Sequence, residues 1–270
     1  MRIPAKKSLG QNFLIDQNIR GKIVDALDLK PTDILLEIGS GRGELTELIS
    51  QRAGEVYALE IDRRLLKTLT DSLVGRKNIR VINQDILKLD LERLINQNKI
   101  KAKIKVFGNI PYYISSPIIE HLLNFHGYLS EIFITVQKEF AARVVAQPGS
   151  KEYSSFSCFV QYYTVPKIIF HISKNCFRPS PKVDSSFLGL KIREVPAVSV
   201  RDEGLFFKII RSAFNQRRKI LSNSLQEVVT PGILSVFFTK TGLNPNIRPE
   251  CLTLENFALL ANLQFLSKKA

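Results

Sequence analysis

The stretch Ile34-Leu-Leu-Glu-Ile-Gly-Ser-Gly-Arg-Gly-Glu-Leu45 decides the fold of this 270-residue chain. Its first five residues are the mostly apolar run of a short buried strand, and glycines then follow at every second position. Glycine lets the backbone turn tightly, and it lets a ligand approach the carboxyl end of the strand. The stretch therefore predicts a ligand site at the end of the first strand of an open α/β sheet.

Helices and strands alternate on both sides of this stretch. Helices are predicted around Ile19–Leu27, Leu45–Arg52, Arg63–Leu73, Ile118–Phe125 and Ser155–Tyr163. Strands are predicted at Ile34–Ile38, Val56–Glu60, Ile79–Ile82, Ile104–Phe107 and Ile132–Val136, with Val165–Ile172 and Phe187–Ile192 as a closing antiparallel pair. This alternation predicts right-handed βαβ units, and hence a Rossmann-like α/β domain with a mostly parallel sheet over residues 1–192.

From Pro196 onward the pattern is helical only. Asp202 is the predicted N-cap of a helix over Leu205–Phe214. Further helices are predicted over Ile220–Val229, Ile233–Phe238 and Leu254–Leu266, the last with Thr253 as its cap. We expect a linker at residues 193–200 and a small all-α C-terminal domain over residues 193–270.

The charge and the cysteine content limit the class of protein. A net charge of +14 and a sequence pI near 9.7 favour a polyanionic partner, although a merely basic surface is the alternative. The three cysteines and three histidines follow no metal-site or disulfide spacing, so we expect no metal and a reducing, cytoplasmic location. Because no apolar run approaches the ~20 residues of a membrane span, we expect no membrane partner.

The glycine spacing distinguishes between two classes of cofactor. A dinucleotide site requires G-x-G-x-x-G, whereas Gly39, Gly41 and Gly43 give G-x-G-x-G with the acid Glu37 two residues earlier. An acid at this turn would repel a pyrophosphate. It suits S-adenosylmethionine, which has no phosphate and carries positive charge.

Acids also follow the next two predicted strands. Glu60 ends the second strand, where it can accept hydrogen bonds from both ribose hydroxyls of the cofactor. Asp85 follows the third strand and is placed to accept one from the adenine amine. Singly, the glycines could be a turn and Asp85 a helix cap. Their order at successive strand ends predicts an S-adenosylmethionine site.

A candidate reaction centre, Asn109-Ile-Pro-Tyr112, follows the fourth strand. The amino nitrogen of adenine is a poor nucleophile because its lone pair is delocalised into the ring. The Asn109 side-chain oxygen and the Ile110 carbonyl, whose direction Pro111 restricts, could hold this amine toward a sulfonium methyl. Tyr112 offers a face to a base that has left its stack. The alternative is an Asn-x-Pro turn with a core tyrosine.

Together these motifs resemble those of the bacterial small-subunit ribosomal RNA adenine dimethyltransferases. The similarity covers nearly the whole chain, and its most specific segments are Leu9-Gly-Gln-Asn-Phe-Leu-Ile-Asp16 and Phe177-Arg-Pro-Ser-Pro-Lys-Val-Asp-Ser185. The resemblance implies S-adenosylmethionine-dependent N6,N6-dimethylation of two adjacent adenosines. These lie in a hairpin loop near the 3′ end of 16S rRNA, within a ribosomal particle. We expect a monomer.

The resemblance also implies roles for particular residues. Gln11, Asn12 and Leu14 would form a lid strip over the cofactor, and Phe177 would stack on the target base opposite Tyr112. The candidate catalytic residues are then Asn109, Ile110, Pro111, Tyr112 and Phe177. The candidate cofactor residues are Gln11, Asn12, Leu14, Gly39, Gly41, Glu60, Ile61, Asp85, Ile86 and Asn109.

A basic cluster lies in the most positively charged part of the chain. Arg217, Arg218 and Lys219 follow Phe214 at the junction of two predicted helices. We interpret them as contacts to phosphates of the rRNA helix beside the target loop; the alternative is a solvated helix turn.

Three other functions share parts of this pattern. A macrolide-resistance methyltransferase, which acts on large-subunit rRNA, has the same fold and the same Asn-x-Pro-Tyr site. A non-catalytic rRNA-binding assembly factor would have no need of Glu60, Asp85 and Asn109. A DNA adenine methyltransferase remains possible on the reaction centre alone.

Overall fold

The computed structural model describes residues 3–6, 9–216 and 219–267. Seven of the strands in these residues form one sheet. The strands of the chain are β1 (Phe13–Leu14), β2 (Ile34–Ile38), β3 (Glu55–Leu59), β4 (Ile79–Ile82), β5 (Ile104–Asn109), β6 (Leu129–Gln137), β7 (Thr164–Ile172), β8 (Phe177–Arg178) and β9 (Ser185–Ile192). The sheet order is β4-β3-β2-β5-β6-β9-β7, and all pairs from β4 to β6 are parallel. Beyond them, β9 is antiparallel to its neighbour β6. The predicted mostly parallel sheet is confirmed.

The strand order creates a switch point beside the glycine stretch. From β2 the chain moves outward to β3 and β4, and it then returns to β5 on the other side of β2. Connections that leave in opposite directions open a crevice at the carboxyl ends of the two central strands. The glycines after β2 and the Asn109 motif after β5 therefore meet at one edge of the sheet.

Helices follow most of the strands. In the described residues they are α1 (Gln17–Ala26), α2 (Glu44–Ser50), α3 (Arg63–Ser72), α4 (Leu91–Gln97), α5 (Ser115–Leu123), α6 (Lys138–Val145), α7 (Ser155–Tyr163), α8 (Glu203–Asn215), α9 (Leu221–Ser224), α10 (Pro231–Thr241) and α11 (Leu254–Ser267). The pattern did not predict α4 or α6. The first is only two turns long, and the second begins directly after β6 with no turn residue to mark the change of period.

Polar side chains cap the first turn of several helices. Asp202 accepts a hydrogen bond from the Leu205 backbone N–H at 2.9 Å, as predicted, and Asp16 caps α1 in the same way through Ile19. Thr253 accepts from the Asn256 backbone N–H at 3.3 Å, which confirms it as the cap before α11. Such caps satisfy N–H groups that have no partner within the helix.

The predicted helix over Ile220–Val229 is wrong in length. The structure ends α9 at Ser224, and turns follow up to Val229. Val228, Val229 and Thr230 are β-branched, and the last of them precedes Pro231. Both features disfavour helical backbone, so Pro231 instead becomes the first residue of α10.

The chain divides into two compact units. The first extends to Ala141 and includes Val165–Ile192; the second is Ala142–Thr164 together with the residues from Arg193 onward. The predicted domain of residues 1–192 therefore differs from this division at Ala142–Thr164. The reason is aromatic packing: Tyr162 and Tyr163 of α7 contact Phe206 and Phe207 of α8, with ring centroids 5.1 Å and 6.0 Å apart.

Each unit has its own apolar core. In the first, Phe187 of β9 packs against Phe133 of β6 and Phe107 of β5, with ring centroids 5.9 Å and 6.2 Å apart. Within the described residues of the second unit after Arg193, the regular elements are helical.

None of the helices in the described part of the chain combines the length and the apolar character that crossing a membrane requires.

A second, two-stranded sheet joins the N-terminal strip, residues 9–14, to the loop before β9. In it β1 pairs antiparallel with β8, with Phe13 opposite Arg178 and Leu14 opposite Phe177. Strands of two residues have no periodicity, so the sequence pattern gave no sign of this pairing.

Candidate active site

A cleft of about 850 Å³, counted to its open mouth, lies at the carboxyl ends of the central strands. Twelve residues assigned from the sequence line it: Gln11, Asn12, Gly39, Gly41, Glu60, Ile61, Asp85, Ile86, Asn109, Ile110, Pro111 and Tyr112. The structure therefore brings the predicted cofactor residues and the predicted reaction centre into one cavity, with the exceptions of Leu14 and Phe177.

The glycine loop after β2 is tied to the end of β3 by a buried carboxylate. Glu60 is 4% exposed; its Oε2 accepts from the Gly41 backbone N–H and its Oε1 from that of Asp62, each at 2.8 Å. Gly41 has φ +60°, and a Cβ there would lie 3.4 Å from the Phe13 ring. A glycine at this position lets the loop turn beneath the N-terminal strip.

The surroundings of Glu60 act on its pKa in opposite directions. Burial raises the pKa of Glu60, and the hydrogen bonds from Asp62 and Gly41 partly offset that effect. A carboxylate offers about four lone-pair positions, and backbone N–H groups of Gly41, Asp62 and Ile61 interact with this one. Part of the carboxylate remains available to a ligand.

Asp85 both lines the cleft and caps a turn. Its Oδ1 accepts from the Leu87 backbone N–H at 3.0 Å, at the start of the 3-10 turn Ile86–Lys88. The half-buried side chain also faces the cleft between β3 and β4. The two interpretations of Asp85 are therefore compatible, because capping uses only one carboxylate oxygen.

Glu37 lies in a smaller neighbouring pocket, where it is 2% exposed. Burial raises the pKa of Glu37 to about 7, although hydrogen bonding to Thr46 and Ser40 opposes the shift. The negative charges of Glu60 and Glu44 raise the pKa further. Glu37 thus titrates near neutral pH, beside the loop on which a positively charged cofactor would lie.

The N-terminal strip crosses the cleft and is attached on both sides. On the β3 side, Gln11 Nε2 donates to Asp62 Oδ2 at 3.1 Å, while Gln11 Oε1 accepts from the Lys6 backbone at 2.7 Å. The bidentate contact of Arg64 lowers the pKa of Asp62 to about 2, so this anchor is charged at neutral pH. On the β5 side, the Asn12 carbonyl accepts from Asn109 Nδ2 at 3.1 Å.

The last of these bonds orients the candidate catalytic amide. Because Asn109 Nδ2 donates to the strip, Oδ1 remains as the acceptor, and no hydrogen bond to it is recorded among the described residues.

The Ile110 side chain is 2% exposed, and Pro111 has φ −61°. Tyr112 is half-buried, its hydroxyl contacts that of Ser185, and burial raises the pKa of Tyr112.

Two residues of the predicted set lie outside the main cleft. Leu14 is 5% exposed and lines the smaller pocket, where Arg20 donates to its carbonyl at 2.6 Å. Phe177 is 3% exposed and belongs to the core of the first unit, beside Leu14. A stacking role for Phe177, which stays a prediction, would require its ring to leave this core.

The basic cluster is only partly described. Arg217 and Arg218 lie outside the described residues, and Lys219 is an exposed residue of the second unit whose backbone N–H donates to the Gln216 carbonyl at 2.8 Å. Its assignment to RNA stays a prediction.

The cleft also contains residues that the sequence reasoning missed. Leu9, Gly10 and Tyr113 line it, and they flank the segments Gln11–Leu14 and Asn109–Tyr112 that were assigned. Proximity to a motif was their only signal. Within the part of the chain that the structure describes, no three His, Cys, Asp or Glu side chains are grouped so that they could hold a metal ion.

The chain belongs to the Rossmann-like S-adenosylmethionine-dependent methyltransferases. This class is indicated by the strand order, by the cleft at the switch point of the sheet and by the acids that surround the cleft. A family model described as "Ribosomal RNA adenine dimethylase" matches residues 3–264. The chain belongs to the ribosomal RNA adenine dimethylase family.

Several relatives carry the same name, Ribosomal RNA small subunit methyltransferase A. The protein from Streptococcus pneumoniae (strain P1031) is 45% identical over 95% of this chain and 91% of its own length. That from Bacillus pumilus (strain SAFR-032) is 44% identical over 96% and 90%. That from Caldanaerobacter subterraneus subsp. tengcongensis is 41% identical over 97% and 98%.

Two solved structures are similar over nearly the full chain. A dimethyladenosine transferase from Plasmodium falciparum has a TM-score of 0.77 and 25% identity, covering 95% of this chain and 98% of that one. The 23S rRNA methyltransferase ErmE has a TM-score of 0.74 and 24% identity, covering 94% and 100%. At its level of identity, ErmE shows a common fold.

Asp85→Ala should weaken S-adenosylmethionine binding about 10- to 150-fold, which corresponds to the roughly 1.5–3 kcal/mol of a lost charged acceptor. Titration calorimetry would measure the affinity. Asp90→Ala is the matched control, because Asp90 caps α4 through Arg93 at 2.9 Å and does not line the cleft. Equal losses in both variants would mean that Asp85 acts only as a cap.

Glu37→Gln should change the pH dependence of stability. With a pKa raised from 4.5 to about 7, Glu37 binds more protons in the folded chain than in the unfolded chain over this interval. Its contribution is therefore fully present below about pH 4.5 and is lost as the pH rises to about 7. The Tm difference between variant and wild type should move in favour of the variant from pH 5 to pH 8. A Tm difference that stays constant over this pH range would refute the shift.

Proposed function

We propose that this chain transfers methyl groups from S-adenosylmethionine to the N6 amines of two adjacent adenosines in a hairpin loop near the 3′ end of small-subunit (16S) rRNA. The observation that carries the proposal is the orientation of Asn109. Its Nδ2 is engaged by the Asn12 carbonyl, and its Oδ1 is available in the cleft as an acceptor.

The chemistry assigned to the chain is positioning. S-adenosylmethionine supplies an electrophilic methyl group on a positively charged sulfur. Asn109 Oδ1 and the Ile110 carbonyl would accept the two N–H groups of the amine, which turns the nitrogen lone pair toward the methyl group. Tyr112 would support the face of the base. After one transfer a single N–H remains, so one acceptor is enough to orient the monomethylated amine for the second.

We also propose contacts between this chain and S-adenosylmethionine. Glu60 and Asp85 would accept from the ribose and the adenine, with Ile61 and Ile86 against the ring and Gly39 and Gly41 beside the methionine portion. These residues suit the group, since Glu60 supplies a buried acceptor and Asp85 a half-buried one in the same cleft. Gln11 and Asn12 would cover it, and Leu14 would support the strip from below.

The relatives favour small-subunit rRNA as the substrate. Proteins named for the small subunit are 41–45% identical to this chain, whereas the 23S enzyme ErmE is 24% identical. The large-subunit alternative thus rests on the fold alone. A purely binding role is disfavoured because Glu60, Asp85 and Asn109 share one cleft.

The setting of the reaction is proposed from charge and from the relatives. A net charge of +14 suits rRNA within a ribosomal particle, and we place the protein in the cytoplasm as a monomer. The direct test is methylation of particles that lack the modification, with the product located by mass spectrometry. Methyl groups on another RNA, or on none, would reject the proposal.

Asn109→Ala should lower the single-turnover rate of methyl transfer by at least about 100-fold, because misorientation of the amine affects rate more than affinity. RNA affinity should stay within a few-fold of wild type. Asn175→Ala, at an exposed asparagine away from the cleft, is the control. A rate near that of wild type in the Asn109 variant would show that other groups orient the base.

Neutralising Arg217, Arg218 and Lys219 together should weaken particle binding, and the slope of log affinity against log salt should fall by about 0.7–0.9 per lost contact. Neutralising Lys99, Lys101 and Lys103 is the matched control. These exposed lysines precede the amino end of β5, opposite the cleft edge of the sheet, and they remove the same charge. If the two triple variants have equal slopes, the cluster contributes only general charge.

A further inference from the structure

Tyr113 is an exposed aromatic ring at the mouth of the cleft. Its side chain lines the cavity beside Tyr112, yet it is 65% exposed. Other large apolar side chains are exposed as well, and Val74 is 81% exposed. Scattered exposure of this kind is ordinary on protein surfaces. The distinctive feature of Tyr113 is its position, one residue beyond the candidate catalytic motif.

The two neighbouring tyrosines are held in different ways. The Tyr112 ring is half-buried and its hydroxyl bonds to Ser185. For Tyr113, no hydrogen bond to the hydroxyl is recorded among residues 3–6, 9–216 and 219–267. Tyr113 therefore presents most of its ring to solvent.

The N-terminal strip leaves room for this ring. Gly10 has φ +60°, and a Cβ on it would lie 3.0 Å from Tyr113 Cε1 and 3.2 Å from Pro111 Cβ. Contacts this short would force the ring or the strip to move. Glycine at this position lets the strip pass against one part of the Tyr113 ring without displacing it.

We propose that Tyr113 stacks on the unpaired base next to the target adenosine in the RNA strand. A base that enters the cleft leaves its stack, and its neighbour in the strand then loses a stacking partner. Aromatic rings on adjacent protein residues, whose Cα atoms are about 3.8 Å apart, can serve adjacent nucleotides. Tyr112 would support the target base and Tyr113 the flanking base.

This inference rests on the proposed RNA substrate and assigns a positioning role. Tyr113 would hold the strand and leave the methyl-transfer step to Asn109 and Ile110. Its loss should therefore appear in KM for RNA. The kcat and the affinity for S-adenosylmethionine, whose proposed contacts are at the ends of β3 and β4, should change little.

Three substitutions separate stacking from packing. Tyr113→Phe keeps the aromatic face, Tyr113→Leu keeps apolar bulk beside Gly10, and Tyr113→Ala removes both. We expect wild-type KM in the Phe variant and an increase of about 5- to 150-fold in the Leu and Ala variants, the range for loss of one stacked base. Wild-type KM in the Leu variant, or a rise matched by weaker cofactor binding, would overturn the proposal.

A fluorescence experiment tests the contact directly. The chain contains no tryptophan, so Tyr113→Trp gives a single reporter at this position. Stacking on a nucleobase quenches indole emission, and we expect quenching when a hairpin RNA with the target loop is added. Val74→Trp, at an exposed site that does not line the cleft, should show no specific change. Equal responses of both reporters would reject the contact.

The two proposals fail in different ways. If wild-type protein does not methylate small-subunit particles, the proposed function is wrong whatever Tyr113 does. If wild type methylates them and the Leu variant has the same KM, only the role of Tyr113 is wrong.

Discussion

The buried carboxylate of Glu60 is the interaction on which the site depends. A carboxylate away from water is costly unless hydrogen bonds satisfy it, and here the N–H groups of Gly41 and Asp62 do so at 2.8 Å. These bonds join the loop after β2 to the start of α3. The glycine loop is thereby held open at the switch point of the sheet, and part of the carboxylate remains available to a ligand.

The N-terminal strip then connects the two halves of the cleft. It reaches Asp62 through Gln11 and reaches Asn109 through the Asn12 carbonyl. Any displacement of the strip would therefore disturb both the cofactor side and the reaction centre. The same strip pairs with Phe177 through Leu14, so the loop before β9 is attached to it as well.

Asp62 and Glu37 are both buried, and pairing with the Arg64 guanidinium distinguishes the first from the second. Asp62, paired with Arg64, has a pKa of about 2 and remains charged, whereas Glu37 has a pKa near 7 because its burial is only partly offset. The charged Asp62 anchors the strip, and Glu37, whose pKa is near 7, lies beside the glycine loop. A positively charged ligand there would favour the ionised form of Glu37.

The sequence by itself determined the seven strands of the main sheet, most of their boundaries, the glycine loop, and the acids Glu37 within β2, Glu60 after β3 and Asp85 after β4. These features are local, since they depend on hydrophobic period, on glycine spacing and on caps such as Asp202. Only the tertiary structure decided that Leu14 and Phe177 are buried outside the main cleft, that Tyr113 stands at its mouth, and that Ala142–Thr164 packs with the C-terminal helices. Contacts between residues distant in the chain determine these placements. A two-residue strand pair or an aromatic cluster has no periodic signal that a single sequence could reveal.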